Sequence, residues 1–283
     1  MDFEWTKEEL AARARLDAAF GDADGELLAV LELAELDDLA EFMSVAHERV
    51  AAAGYWVDDE GVWSDDGYMT ALAKDAALAD RSASLYLTLR STRLFGGLVG
   101  TFGDDAQRAT WLGAIAGGDL IGAVAWSDPP EGDEAAPMVA ARVDGGFRLS
   151  GEKRTVANAL IADRIAVLAT AGDETVIALV EPETLGPAFS ERLATLGLSG
   201  LVMADMRLDG LVVPDAEIIG PLPSATVTSW LSHRQDFGLT VACVGVMRRA
   251  YRAAYEHART SVRDGKTLIK RQAVAFELAE MFM

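Results

Sequence analysis

Residues Val139 to Leu149 read VAARVDGGFRL. Val139, Ala141 and Val143 recur at every second position, Asp144-Gly145-Gly146 supplies a turn, and Phe147 and Leu149 resume the same spacing. Side chains on a strand change face at each residue, so this pattern predicts a β-hairpin. The period of two extends outward from it. Ile165 to Ala169 and Val176 to Val180 form a second pair across Ala171-Gly172-Asp173-Glu174. Val202, Ala204, Met206 and Leu208 face one side of a further strand, while Asp205, Arg207 and Asp209 face the other. Short strands with turn signals and no helices between them predict an antiparallel β-barrel over 119–222.

On both sides of this stretch the period becomes helical. Residues 1–118 read as an N-terminal helical domain. Thr6 with Glu9 makes a capping box that opens its first helix. Leu36 to Ala53 and Tyr68 to Arg90 carry apolar residues at three- and four-residue spacing. Gly54, the Gly61/Gly67 stretch and Gly96-Gly97 punctuate them. A short helix capped by Asp104 or Asp105 carries Trp111 and Leu112 and closes at Gly117-Gly118. Residues 223–283 read as a partial C-terminal helical bundle with two helices. The first runs from Trp230 to about Val262, where Gly238, Ala242 and Gly245 permit close packing. Asp264-Gly265 breaks it. The second carries Leu268, Gln272, Ala275, Phe276, Ala279, Phe282 and Met283 on one apolar stripe. Two helices cannot cover that stripe, so it predicts burial against another subunit. The fold class expected is α+β: helical domain, antiparallel barrel, helical bundle.

A chain of 283 residues has room for two or three such units, and a hydrophobic share of 51% sets it among globular proteins. A formal net charge of −20 argues against nucleic acid or an anionic membrane as partner. Within that acidic chain, Arg248, Arg249, Arg252, Arg259, Arg263, Lys266, Lys270 and Arg271 cluster together. They read either as a solvated helical face or as a site for a phosphate-bearing ligand. Cys243 is the single cysteine, which fits a reducing cytoplasm and leaves no cysteine metal cluster. Three scattered histidines and one cysteine do not make a zinc site, so no metal is expected. The opening MDFEWTKEEL lacks the features of a signal peptide, and no apolar run is of membrane-spanning length. A soluble cytoplasmic protein is expected.

Four phrases in order carry a resemblance: FGDDAQRATWLGAIAGGDLIGAVAWSDP, DGGFRLSGEKRTVANALIADRIAVLAT, LGLSGLVMADMRLDGLVVPDAEIIG and KTLIKRQAVAFELAEM. Together they resemble the acyl-CoA dehydrogenase family from about Thr101 to Met281. The resemblance implies FAD lying between the barrel of one subunit and the C-terminal helices of another, with an acyl-CoA substrate against the flavin. It implies removal of an α-proton by a base and of a β-hydride by flavin N5. The family's flavin contacts fall on Trp126, Ser127, Asp128, Asp133, Thr155, Ala157 and Gln272. Ser127-Asp128 stand for a family Thr-Glu, and Asp133 stands for a serine that meets the pyrophosphate. Thr155 replaces an aromatic that packs on the flavin, and Ala157 replaces a hydroxyl that reaches N5. Ser261 stands where an arginine meets the cofactor's phosphates and Asp264 where the family has an aromatic, while Gln272 is retained. Most members of the family place the base in a late glutamate, in a segment outside this sequence; some place it just before the arginine of the first bundle helix, where this chain has His233, followed by Arg234. The plainer reading of His233 is a helix histidine paired with Asp236 or Glu256, or exposed. His47 and His257 read as structural. Two functions follow. One is a working FAD-dependent acyl-CoA dehydrogenase subunit, in a homo-oligomer or a hetero-oligomer. The other is a degenerate, non-catalytic subunit that partners an intact acyl-CoA dehydrogenase-like chain.

Overall fold

A computed structural model describes residues 5–21, 31, 35–57, 68–132, 134–185 and 188–282. Asp133, the Gly61/Gly67 stretch and Met283 lie outside the described residues. The helices before the sheet are α1 (Lys7–Phe20), α2 (Leu36–Ala52), α3 (Tyr68–Arg81), α4 (Ala83–Phe102) and α5 (Asp105–Gly117). The Thr6 hydroxyl accepts from the Glu9 amide and the Glu9 carboxylate accepts from the Thr6 amide, completing the box that starts α1. Asp104 and Gln107 repeat the device at α5, and Gly118 ends that helix in the left-handed region.

Two helical expectations are corrected. Tyr68 to Arg90 is not one helix: Ser82 adopts an extended conformation and caps α4 by accepting from the Leu85 amide at 3.2 Å. Gly96-Gly97 does not punctuate a helix but lies inside α4. A Cβ at Gly97 would stand 2.8 Å from the Trp230 ring, so this position serves close packing and not chain reversal.

The sheet contains β1 (Gly122–Ala125), β2 (Val139–Val143), β3 (Gly146–Ala157), β4 (Arg164–Ala171), β5 (Glu174–Val180), β6 (Met203–Pro214) and β7 (Ile218–Pro223). Its order is β6-β3-β2-β4-β5-β7, with β1 along β4. Two features depart from an antiparallel barrel. The sheet is open, and β1 runs parallel to β4, as does the single β2–β4 bridge. Strand β1 is the short run GAVA, buried on both faces. Continuous burial without alternation is how a parallel strand reads in sequence.

The VAARVDGGFRL hairpin forms, with a turn one residue shorter than the Asp144-Gly145-Gly146 read from sequence. Val143 pairs with Gly146, so the turn is the two residues Asp144-Gly145, and Gly146 belongs to β3. A Cβ at Gly146 would lie 2.1 Å from the Val213 carbonyl oxygen, which explains the glycine by the close approach of β6. Val139 and Ala141 therefore face outward, while Ala140 and Arg142 stand opposite the buried Leu149 and Phe147. Val202, just before β6, and Ala204, Met206 and Leu208 within it alternate as read, and all four are buried.

Strands β4 and β5 separate two apolar cores. Ala166, Leu168, Ile177 and Leu179 join the helices; Ile165, Val167, Ala169, Val176 and Ala178 face Phe147, Leu149, Ala204 and Met206 across the curled sheet. Helix α6 (Ser224–Thr260) starts six residues before Trp230, directly after the Pro221 and Pro223 segment, and packs on α3 and α4. A Cβ at Gly238 would meet Arg90 Nε at 2.4 Å, and one at Gly245 would meet the Ala79 carbonyl oxygen at 2.4 Å. Asp264-Gly265 turns a two-residue ribbon, β8 (Val262–Arg263) with β9 (Lys266–Thr267), before α7 (Gln272–Phe282). On α7, Leu278 alone is buried, whereas Phe276, Met281 and Phe282 are exposed.

Candidate functional site

Helix α4 is buried around most of its circumference, and one face of it, Leu87, Arg90, Ser91 and Leu94, lines a cavity of about 260 Å³. Spacings of three and four place these side chains in one row. Opposite them lie Val124, Trp126 and Ser127 at the end of β1, and Thr155 and Ala157 at the end of β3. Leu198, Leu201 and Met203 close one side, and Gln235 and Leu239 of α6 close another. The lining is mostly apolar with a few polar groups, which is the ordinary composition of a small-molecule site.

The β1 exit is held from behind by Lys153. Its ammonium is buried and donates to the Trp126 carbonyl oxygen at 3.1 Å and to Asp128 Oδ1 at 2.7 Å. Burial lowers the Lys153 pKa, and the hydrogen bond and charge of Asp128 oppose that shift. Asp128 Oδ1 also accepts from the Met138 amide at 3.2 Å, which ties the loop after β1 to the start of β2. Asp128 thus organises the loop from outside the cavity lining.

Thr155 sits at φ 49. A β-branched residue at positive φ is strained, at a cost of roughly 1–3 kcal/mol, and persists only where its surroundings hold it. Here Asp205 holds it: Oδ1 accepts from the Thr155 amide and Oδ2 from Arg154 Nη1, both at 2.8 Å. Three residues on, buried Asn158 is also left-handed and donates from Nδ2 to the carbonyl oxygens of Thr88 (2.9 Å) and Gly122 (3.1 Å). The wall that carries Thr155 and Ala157 is thereby fastened to α4 and β1.

Four of the positions singled out in sequence, Trp126, Ser127, Thr155 and Ala157, meet in this one cavity. His233, Arg234 and Gln272 are not part of its lining. His233 is exposed on α6, Arg234 lies with its guanidinium carbon 4.0 Å over the Trp230 ring, and Gln272 is exposed at the start of α7. Among the described residues the lining contains no carboxylate and no imidazole. Sequence reasoning missed Arg90, Ser91 and Gln235. The signal for Arg90 was present: a charged residue inside the apolar run SLYLTLRSTRLF, where a solvent face would be expected to carry several.

The basic cluster is largely paired within the chain. Arg248 and Arg252 approach Asp80 at 3.7 and 3.4 Å, Arg259 pairs with Glu256, and Arg271 pairs with Asp264 at 2.6 Å. Ser261, in place of the family arginine, lies 3.3 Å from His257 Nδ1. His47 is buried and neutral. Its Nδ1–H donates to the Met43 carbonyl oxygen at 2.6 Å, and its Nε2 accepts from the Thr92 hydroxyl at 2.8 Å. Among the described residues no group of histidine, cysteine and carboxylate side chains could hold a metal ion, and no helix is long and apolar enough to cross a membrane.

Residues 228–283 match the family of acyl-CoA dehydrogenase C-terminal domains. The chain is 30% identical over 170 residues to benzylmalonyl-CoA dehydrogenase of Aromatoleum aromaticum, a stretch covering 58% of this chain and 45% of that relative. The match therefore takes in less than half the length of that relative. Its fold superposes on butyryl-CoA dehydrogenase from Megasphaera elsdenii with a TM-score of 0.82 at 21% identity, covering 100% of this chain and 77% of the other. It is similar also to the FAD complex of PigA, with a TM-score of 0.83 at 20% identity, covering 100% of this chain and 76% of the other.

Proposed function

This chain belongs to the acyl-CoA dehydrogenase family, and from that premise we propose that its cavity is the cleft where an acyl-CoA thioester undergoes α,β-dehydrogenation. The observation that carries this reading is the convergence of the β1 exit and the β3 end with the faces of α4 and α6 around one cavity. Leu87, Leu94, Val124 and Leu239 offer an acyl chain an apolar wall, and Ser127 and Thr155 offer hydroxyls beside it.

The residues fit the polar edge of a flavin. Neither the Ser127 nor the Thr155 hydroxyl is engaged by another described residue. The fit is incomplete at two positions: Thr155 has no ring to stack, and Ala157 has no hydroxyl. FAD, when bound, supplies the acceptor for the β-hydride. The chain's own contribution is to hold the β1 exit rigid through Lys153 and Asp128, to exclude water with the leucine face of α4, and to bind the acyl group. A second reading, a non-catalytic subunit partnering an intact relative, is favoured by Thr155 and Ala157, which respectively set no ring and no hydroxyl where the resemblance implies flavin contacts. In either case the exposed Phe276, Met281 and Phe282 of α7 suit burial against another chain.

Titration of the purified protein with FAD, followed by an acyl-CoA under anaerobic conditions, tests this. Bleaching of a bound flavin spectrum on thioester addition supports the first reading. Absence of any flavin binding, with or without thioester binding, would overturn the first reading and leave the second, which bleaching of a bound flavin would in turn overturn.

A further inference from the structure

A second cavity, of about 230 Å³, lies where the end of the edge strand β6 meets the start of β4 and the end of β5. It shares no lining residue with the cavity beside α4 and sits at the opposite end of β6, whose first residue, Met203, lines that other cavity. Leu179, Leu211 and Val213 give it apolar walls, and Arg164, Glu181 and Glu217 its charges. Arg164 is already satisfied: its guanidinium pairs with the Glu181 carboxylate and lies 4.5 Å over the Trp111 ring. Glu217 is not. Its Oε2 is buried with no hydrogen-bond partner, and no cation among the described residues pairs with its carboxylate.

The backbone around Glu217 is fastened. The residue ends a short helical turn, Asp215–Glu217. The buried side chain of Gln107 on α5 donates from Nε2 to the Ala216 and Ile218 carbonyl oxygens at 3.1 and 3.0 Å, which holds the chain on both sides of Glu217. At the start of the turn, Asp215 accepts from Arg142 Nη2 at 2.9 Å, and its amide donates to the Gly145 carbonyl oxygen at 3.0 Å. A carboxylate oxygen taken from water without a donor is costly, and buried polar atoms are nearly always matched. A solvated carboxylate on a loose loop, the plainer reading, does not account for an oxygen shut from solvent on a turn pinned at both ends. The lining carries one guanidinium against two carboxylates, so the missing partner is a cation.

We propose that this second cavity binds an organic ammonium ion, with Glu217 as its counter-charge. The ligand class is a primary amine on a short apolar group: the ammonium donates to Glu217, and the hydrocarbon lies against Leu179, Leu211 and Val213. A compact ammonium suits a single open acceptor oxygen, whereas a planar guanidinium fork asks for two. The volume is below the roughly 300–1,000 Å³ of ordinary small-molecule sites, which limits the apolar group to a few carbons. A free amine and the lysine side chain of another protein share this chemistry. The site is independent of the acyl-CoA reading of the cavity beside α4.

The test is equilibrium titration of the full chain, in amine-free phosphate buffer and followed by ligand NMR. The probes are butylammonium, the amide of Nα-acetyl-lysine, and n-butanol and butyrate as neutral and anionic matches. A charge-assisted hydrogen bond corresponds to a preference of about ten- to a hundredfold, so one of the two amines should bind that much more tightly than n-butanol, and butyrate should not bind. Tighter binding of butylammonium assigns the site to a free amine, tighter binding of the lysine amide to a protein side chain, and either supports the ammonium site. Glu217→Gln, of the same shape and uncharged, should lose the preference. Leu211→Trp, which fills the cavity, should lose amine binding and keeps the inference testable where the first variant fails to fold. Equal binding of amines and n-butanol, a preference that survives in either variant, or no binding of any probe overturns the inference; the acyl-CoA reading is untouched by all three.

Discussion

His47 couples the stability of the helical layer to pH in a window set by its burial. Met43 O can only accept, so the ring proton is on Nδ1, and Nε2 accepts from the Thr92 hydroxyl. Thr92 Oγ1 in turn accepts from the Gly122 amide at 3.0 Å, which anchors the start of β1. Burial lowers the pKa of His47 from 6.5 to about 4, with the Met43 hydrogen bond opposing the shift. A group whose folded pKa lies below its unfolded one binds fewer protons in the native state. Stability is therefore fully present above pH 6.5 and is lost as pH falls toward 4. Integrating between these pKa values gives a loss of about 2 kcal/mol from pH 7.5 to pH 5. Urea unfolding at both pH values measures it, with His47→Gln as the reference, because a glutamine keeps a donor and an acceptor but does not titrate. The wild type should lose about 2 kcal/mol more than the variant over this interval. Equal losses in the two proteins would refute the buried neutral ring and its link to β1.

The other expectations concern packing, cofactor and assembly. Gly245→Ala gains about 1 kcal/mol of helix propensity but sets a Cβ 2.4 Å from the backbone oxygen of Ala79, and overpacking of this kind costs about 1–3 kcal/mol; a lowered urea midpoint is expected. Gly113→Ala on α5 meets nothing within 4 Å, so the same exchange should stabilise by about 0.5–1 kcal/mol, and a loss there would contradict the packing account. Thr155→Trp with Ala157→Thr restores a stacking face and a hydroxyl, and FAD affinity should rise about ten- to a hundredfold by flavin fluorescence; no change would show that these two positions do not govern flavin binding. Light scattering at micromolar concentration should give a mass above that of one chain, since Phe276 and Phe282 are 59% and 74% exposed on α7; a stable monomer would refute burial of that helix between subunits.

The hairpin at Val139–Leu149 illustrates what a sequence can and cannot convey. Its existence follows from the period and the turn residues alone. Its facing does not, because it depends on whether Gly146 is counted with the turn or with the strand. A three-residue turn would set Val143 opposite Phe147 and bury the valines. The two-residue turn sets Val143 opposite Gly146 and turns them outward, since a slip of one residue exchanges every side chain between faces. The deciding contact is the approach of the Val213 carbonyl to Gly146, sixty-odd residues away in sequence, which no local pattern encodes. The same holds for β1, whose four small buried residues carry no alternation to read and whose parallel partner arrives only with β4. For the site, the phrases around Ser127 and Thr155 led to the cavity because both lie at strand ends. His233 did not join them: the turn of α6 presents Gln235 and Leu239 to the cavity instead.

Helix α4 explains why the remaining wall was hard to see. Its row at Leu87, Arg90, Ser91 and Leu94 faces the cavity, while Thr88, Thr92 and Phe95, on an adjacent row, face β1 and the β3 end. Both rows are buried, so the helix has no polar face from which its orientation could be inferred. Gly122 is where the second row meets the sheet. Its amide donates to Thr92, its carbonyl accepts from Asn158, and a Cβ there would stand 2.7 Å from Phe95 Cβ. Asn158 fixes Ala157 in the wall facing α4, and β1 carries Trp126 and Ser127 into the same wall, where the Arg154 amide donates to the Ser127 carbonyl oxygen at 2.8 Å. The two strand ends and the helix face are therefore set relative to one another through a single backbone position. The site's geometry depends on this junction being close-packed, and the residues that make it, one glycine and short polar side chains, are those whose sequence signal is weakest.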